Sequence, residues 1–124
     1  MADPRHEEIL KSGVEKFNLW RQSQPEIIPN LEGVELQDLS LQGINLKNAN
    51  LNSTTFFSVD LSKSDLSMTS FQFANIYESN LENADLRGAN FTKTDGFLPE
   101  MIEKSIFDKT TIFPEYLIME LTDD

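Results

Sequence analysis

The sequence predicts an all-β solenoid, a chain wound into repeating turns, and two observations carry that expectation. Stepping by five from Leu31 meets Leu31, Leu36, Leu41, Leu46, Leu51, Phe56, Leu61, Leu66, Phe71, Ile76, Leu81, Leu86 and Phe91, thirteen positions held only by Leu, Phe or Ile. No straight element keeps such a set on one side. A helix advances about 100° per residue, so every fifth residue scatters round the cylinder. A straight strand fails because an odd step sends successive residues to opposite faces. The chain must therefore turn a corner once per repeat.

The flanking positions agree with such a corner. Two residues before most centres the chain is small or β-branched, as at Ala49, Thr54, Val59, Ser64, Thr69, Ala74, Ala84 and Ala89. One before them stand mainly Asn, Asp, Ser and Thr, types that hydrogen-bond nearby backbone at a bend. Ala49-Asn50-Leu51, Ala84-Asp85-Leu86 and Ala89-Asn90-Phe91 resemble the A-(D/N)-L-x-x signature of pentapeptide-repeat proteins. Bulkier inward residues replace the usual Ala at Val34, Leu39 and Ile44. The resemblance implies a right-handed quadrilateral β-helix in which four repeats make one coil. About 3.5 coils would fill residues 29–98, and Leu46, Leu66 and Leu86 would stand in one vertical column.

The rest of the chain reads as two ends for this body. Residues 1–28 form an N-terminal helical cap and linker, with an amphipathic helix expected over 6–22. Pro4 suits an early helical position, Glu7 and Glu8 suit the positive helix end, and Ile9, Leu10, Val14, Phe17 and Trp20 form the apolar stripe. Gly13 within it suggests a close contact. Pro25 and Pro29 forbid the helix from running on. After Gly96 the beat fails, and residues 99–124 read as a C-terminal cap and acidic tail. A short helix begins at Pro99, and Met101, Ile102, Ile106, Phe107, Ile112 and Phe113 close the end of the coil.

Composition narrows function more by exclusion than by signal. At 124 residues the chain is one slender domain without room for a large enzyme cleft. It has no cysteine, hence no disulfide, thiolate chemistry or thiolate metal site, and His6 is its one histidine. Neither a nucleophile–base pair nor a nitrogen-ligated metal can be assembled locally, so the expectation is no enzyme, no cofactor and no metal. Asp65 and Asp85 would stack about 4.8 Å apart, where each is expected to cap its own corner rather than hold a cation. No signal-peptide core or apolar run of about 18 residues is present, which makes a cytoplasmic protein the default. The resemblance adds a bacterial, often cyanobacterial, setting.

The net charge of −11 argues against nucleic acid or anionic membrane as a direct ligand. It is spread unevenly: residues 29–98 carry nine acids against Lys47, Lys63, Arg87 and Lys93, a net of −5. Some members of the family imitate duplex DNA and inhibit or protect type II topoisomerases such as gyrase. A rod rising roughly 17 Å would need about ten unbalanced surface charges for that, which −5 does not supply. An apolar anomaly points elsewhere. Met68, Phe57, Phe73 and Tyr77 occupy outward positions, and Phe97 is expected to extend the Phe57/Tyr77 column. Such a patch predicts a contact site for a protein partner or a second copy, with a capped end as another route to a homodimer. The expected function is a non-catalytic interaction module or scaffold.

Overall fold

The computed structural model describes residues 1–117, in the order α1 (Pro4–Lys11), α2 (Val14–Ser23), β1 (Glu35–Gln37), β2 (Thr55–Phe57), β3 (Asn75–Tyr77) and α3 (Pro99–Glu103). The strands form one parallel sheet in the order β1–β2–β3, with Leu36 beside Phe56 and Phe56 beside Ile76. Partners are thus twenty residues apart. The same interval recurs in three further columns of parallel bridges, Asn30/Asn50/Ser70/Asn90, Ser40/Asp60/Asn80 and Asn45/Asp65/Asp85. The chain returns over itself every twenty residues and presents four sides, named here by their first inward residues: Leu31, Leu36, Leu41 and Leu46.

Regular strand is confined to the Leu36 side, and the corners explain why. On the other three sides the carbonyl of the central residue accepts the N–H three residues on, as in Val34→Leu31 (3.1 Å), Ile44→Leu41 (3.1 Å) and Ala49→Leu46 (2.9 Å). At every fifth position from Gly33 to Lys93 φ is positive, between 51° and 77°. A hydrogen-bonded turn with a left-handed third residue is the type II pattern. Such a turn leaves too little extended backbone for more than a single bridge. The outward Asn or Asp then satisfies the turn's remaining donor. Asn45, Asp60, Asp65, Asn80, Asp85 and Asn90 each accept the N–H two residues on, at 2.9–3.2 Å.

Inside, the columns pack as the period requires. Leu46, Leu66 and Leu86 are fully buried, and the Phe71 and Phe91 rings stack at 4.9 Å with planes 18° apart. The inward hydroxyls of Thr54, Ser64, Thr69 and Thr94 are buried without penalty, because each donates to the carbonyl three residues back at 2.6–2.8 Å.

The N-terminal end differs from the single helix expected. Gly13, at φ 118°, breaks the segment into α1 and α2, and a side chain there would meet nothing within 4 Å. Backbone conformation, not close contact, is what glycine serves here. Leu10 and Phe17 are buried beneath the two helices, with Ile9, Val14 and Trp20 packed beside them. Side chains of this end imitate a neighbouring circuit. The Asn18 carboxamide accepts from Asn45 N–H (2.8 Å) and donates to the Gly43 carbonyl (3.1 Å). Nδ1 of His6 accepts from Asn30 N–H (2.9 Å), and Asp3 N–H donates to the Asn30 carbonyl (3.0 Å). Arg21 donates to the carbonyls of Ile27 and Lys47. These contacts cover the Leu31 and Leu46 sides.

The C-terminal end covers the same two sides by a different route. α3 stops at Glu103, and the chain turns out so that Ile106 bridges Asp85 and Ile112 bridges Asn90. Ile106 and Ile112 close the end of the coil through their backbone and take outward positions, so that their side chains, like that of Phe107, are exposed. Ile102 is buried, and Met101 and Phe113 pack against the core. The acidic tail Glu120–Asp124 lies outside the described residues.

Candidate functional site

Four of the five candidate contact residues stand on the surface. Phe57 and Tyr77 are register partners on the outward face of β2 and β3, 40% and 37% exposed. Phe73 and Met68 are each 58% exposed at left-handed corners, with φ of 63° and 60°. A bulky residue at positive φ is uncommon, and the corner holds each side chain away from the core. Met68 lies against Gly88 one circuit on, where a side chain would collide with its sulfur. Both ends of the chain described here leave these four residues uncovered.

Phe97 does not belong with them. Asp95 still pairs with Asn75, but Gly96, at φ 83°, sits against the Ile76 carbonyl and the Tyr77 ring. The chain therefore bends inward, and Phe97 is fully buried, edge-on to Phe91 at 4.7 Å. The Tyr116 hydroxyl accepts from its N–H (3.1 Å) and donates to its carbonyl (3.2 Å), ending the column. The Tyr77 hydroxyl turns to Asp95 at 3.3 Å. Partial burial, reinforced by the Asp95 carboxylate, raises the Tyr77 phenol above its ordinary pKa.

The stacked carboxylates act at their own corners. Asp65 accepts from Ser67 N–H, while Asp85 forms a two-point pair with Arg87, Nε at 2.9 Å and a terminal nitrogen at 2.8 Å. That pairing holds the Asp85 carboxyl below the usual range, as hydrogen bonds from Ser62 do for Asp60. Among the described residues no group of three or more acids or histidines is placed to hold a metal ion. His6 is built into the cap, 4.9 Å from the Trp20 ring centre. No helix among the described residues is long and apolar enough to cross a membrane.

Two features escaped the sequence. The Asn18 cap depends on where an exposed helix meets the first circuit, which no spacing encodes. The second is a bare strand edge: Glu35 and Gln37 each leave N–H and C=O pointing away from β2, with no partner among the described residues.

Comparison with known proteins follows the repeat. The family model described as pentapeptide repeats matches in eight copies over residues 30–67 and 56–92. No curated protein sequence matches significantly. Among solved structures, alr5209, a pentapeptide repeat protein from Nostoc Pcc 7120, aligns at 19% identity and TM-score 0.45, covering 88% of this chain and 91% of that one. The pentapeptide repeat protein Rfr23 from the cyanobacterium Cyanothece 51142 aligns at 26% identity and TM-score 0.33, covering 71% and 67%. HetL from Nostoc sp. strain PCC 7120, a pentapeptide repeat protein involved in heterocyst differentiation regulation, aligns at 21% identity and TM-score 0.40, covering 65% and 41%.

Proposed function

The chain belongs to the pentapeptide-repeat family, and from that premise we propose that it is a non-catalytic protein–protein interaction module. In this reading residues 29–98 are a right-handed quadrilateral β-helix of about 3.5 coils, with 1–28 as its N-terminal cap and linker and 99–124 as its C-terminal cap and tail. The observation that carries the functional part is the exposure of Phe57, Phe73, Tyr77 and Met68 at positions where the repeat otherwise sets polar residues. Exposed apolar clusters on a rigid surface are the usual mark of a partner site. A rigid body binds without the ordering cost of a flexible one, which suits a scaffold.

Imitation of DNA toward a type II topoisomerase is not favoured. The repeat body carries nine acids against four bases, and Asp60, Asp65 and Asp85 are engaged at their corners. The test compares wild type with Phe57→Ser/Tyr77→Ser in native pull-downs from a source cell and in size-exclusion chromatography. Loss of a specific partner, or of a dimer, by the variant supports the site. Identical partners and identical oligomeric state for both proteins overturn it.

A further inference from the structure

The two caps protect the same two sides and leave β1 bare, beside a groove of about 410 Å³. The Leu31 and Leu46 sides are met at this end, Asn30 by His6 and Asp3 and Asn45 by Asn18, whereas β1 on the Leu36 side and the single bridge residue Ser40 on the Leu41 side are not; β1 alone offers a run of strand. On β1 the backbone groups of Leu36 are used by β2, while the N–H and C=O of Glu35 and Gln37 point away from β2 with no partner among the described residues, and Glu35 borders the groove. Parallel partners sit one strand spacing apart, about 4.8 Å, so an added strand would continue the β1–β2–β3 sheet in the same plane.

We propose that this edge takes an extended peptide segment of a protein partner by strand addition, and that the segment alternates apolar and basic residues. Four aligned backbone groups over three residues recognise an extended main chain and no other conformation. Strand geometry supplies the alternation, since successive side chains of an added strand point to opposite faces of the sheet. The groove's lining combines apolar Ala2, Pro4 and Val34 with the carboxylates of Glu7, Glu32 and Glu35. Glu7 is paired with Lys11 and Glu32 with the N-terminal amine, whereas Glu35 has no cationic partner among the described residues. In a chain of net charge −11 that carboxylate calls for a lysine or arginine, with the side chains one residue away turned to the inward face, beside Leu36. The surface is separate from the aromatic one, which lies on the outward face of β2 and β3.

The probe is an acetylated, amidated peptide of alternating lysine and valine, about seven residues long, titrated against the full chain while amide resonances are followed. Binding should shift and protect the Glu35 and Gln37 amides first. Gln37→Pro removes one edge donor and leaves the β1–β2 bonds intact, since proline is tolerated at the free side of an edge strand. Its melting temperature should match wild type, and its affinity for the peptide should fall at least tenfold. Gln37→Ala, which keeps the N–H, should bind as wild type. Peptide methylated on alternate backbone nitrogens should not bind, and Phe57→Ser/Tyr77→Ser should bind normally, which separates this edge from the aromatic site. No binding to wild type, equal binding to Gln37→Pro, or retained binding of the methylated peptide would each overturn the proposal.

Discussion

The Leu46 side and the Leu36 side of this molecule are built on the same five-residue beat but finished differently. On the Leu46 side the column residues are engaged: Asn45, Asp65 and Asp85 bond their own corners, Asn18 closes one end, and Ile106 closes the other. On the Leu36 side the outward residues are Glu35, Gln37, Thr55, Phe57, Asn75 and Tyr77, the strand is regular, and the first edge is free. The difference teaches that stability and recognition are divided between sides. One side closes the fold, and the other is left with aromatic rings and unpaired backbone.

The sharpest way to break this comparison is to delete apolar bulk from each side. Leu66→Ala empties a fully buried position and should cost about 3 kcal/mol, read by denaturant unfolding. Phe57→Ala, on an exposed ring, should change stability by no more than about 0.5 kcal/mol. Equal losses would mean that the aromatic face is structural. Next in size is the cap. Asn18→Ala leaves a donor and an acceptor of the first circuit unpaired and should cost about 1–2 kcal/mol, whereas Gln37→Ala should be close to silent.

Acid should act on the capped corners, of which Asp85 stands on the Leu46 side and Asp60 on the Leu41 side. The folded-state pKa values of Asp60 and Asp85 lie below their unfolded values, so the stability they add is complete above about pH 4 and is lost as pH falls through the folded values. Asp85→Asn keeps the turn acceptor and removes the titration, so unfolding midpoints between about pH 2 and 4 should depend less steeply on pH than in wild type. The smallest expected effect is at a corner. Lys63 is exposed with φ 58°, and Lys63→Gly should raise stability by about 0.5 kcal/mol where most glycine substitutions lower it.

The Leu46 side was the more legible of the two in the sequence. A period of five required corners, and the Asn and Asp residues before each centre announced how those corners are capped. The left-handed corner residue was not legible, because Gly33, Gly43 and Gly88, and less strongly Asp38, Asn48 and Asn83, mark it by type while Lys63, Met68 and Phe73 adopt it under tertiary constraint. Phe97 was misplaced for a related reason: counting assumes that the register persists, and Gly96 ends it by one close backbone approach. The split at Gly13 was hidden because apolar residues keep helical spacing on both sides of it. The outward position of Phe57, Phe73 and Tyr77 was readable, since the period fixes it; that neither described end of the chain folds over them was not, because spacing does not say where the ends go. The bare edge of β1 was not, because it depends on which sides two helices happen to reach.

Hydrogen exchange at single amides tests the division between sides most directly. Asn30 and Asn45 N–H, held by His6 and Asn18, should exchange at least a hundredfold more slowly than Glu35 and Gln37 N–H, which should exchange near the rate of an unstructured peptide. Comparable protection at all four amides would contradict the account, because the Leu36 side would then be closed as well.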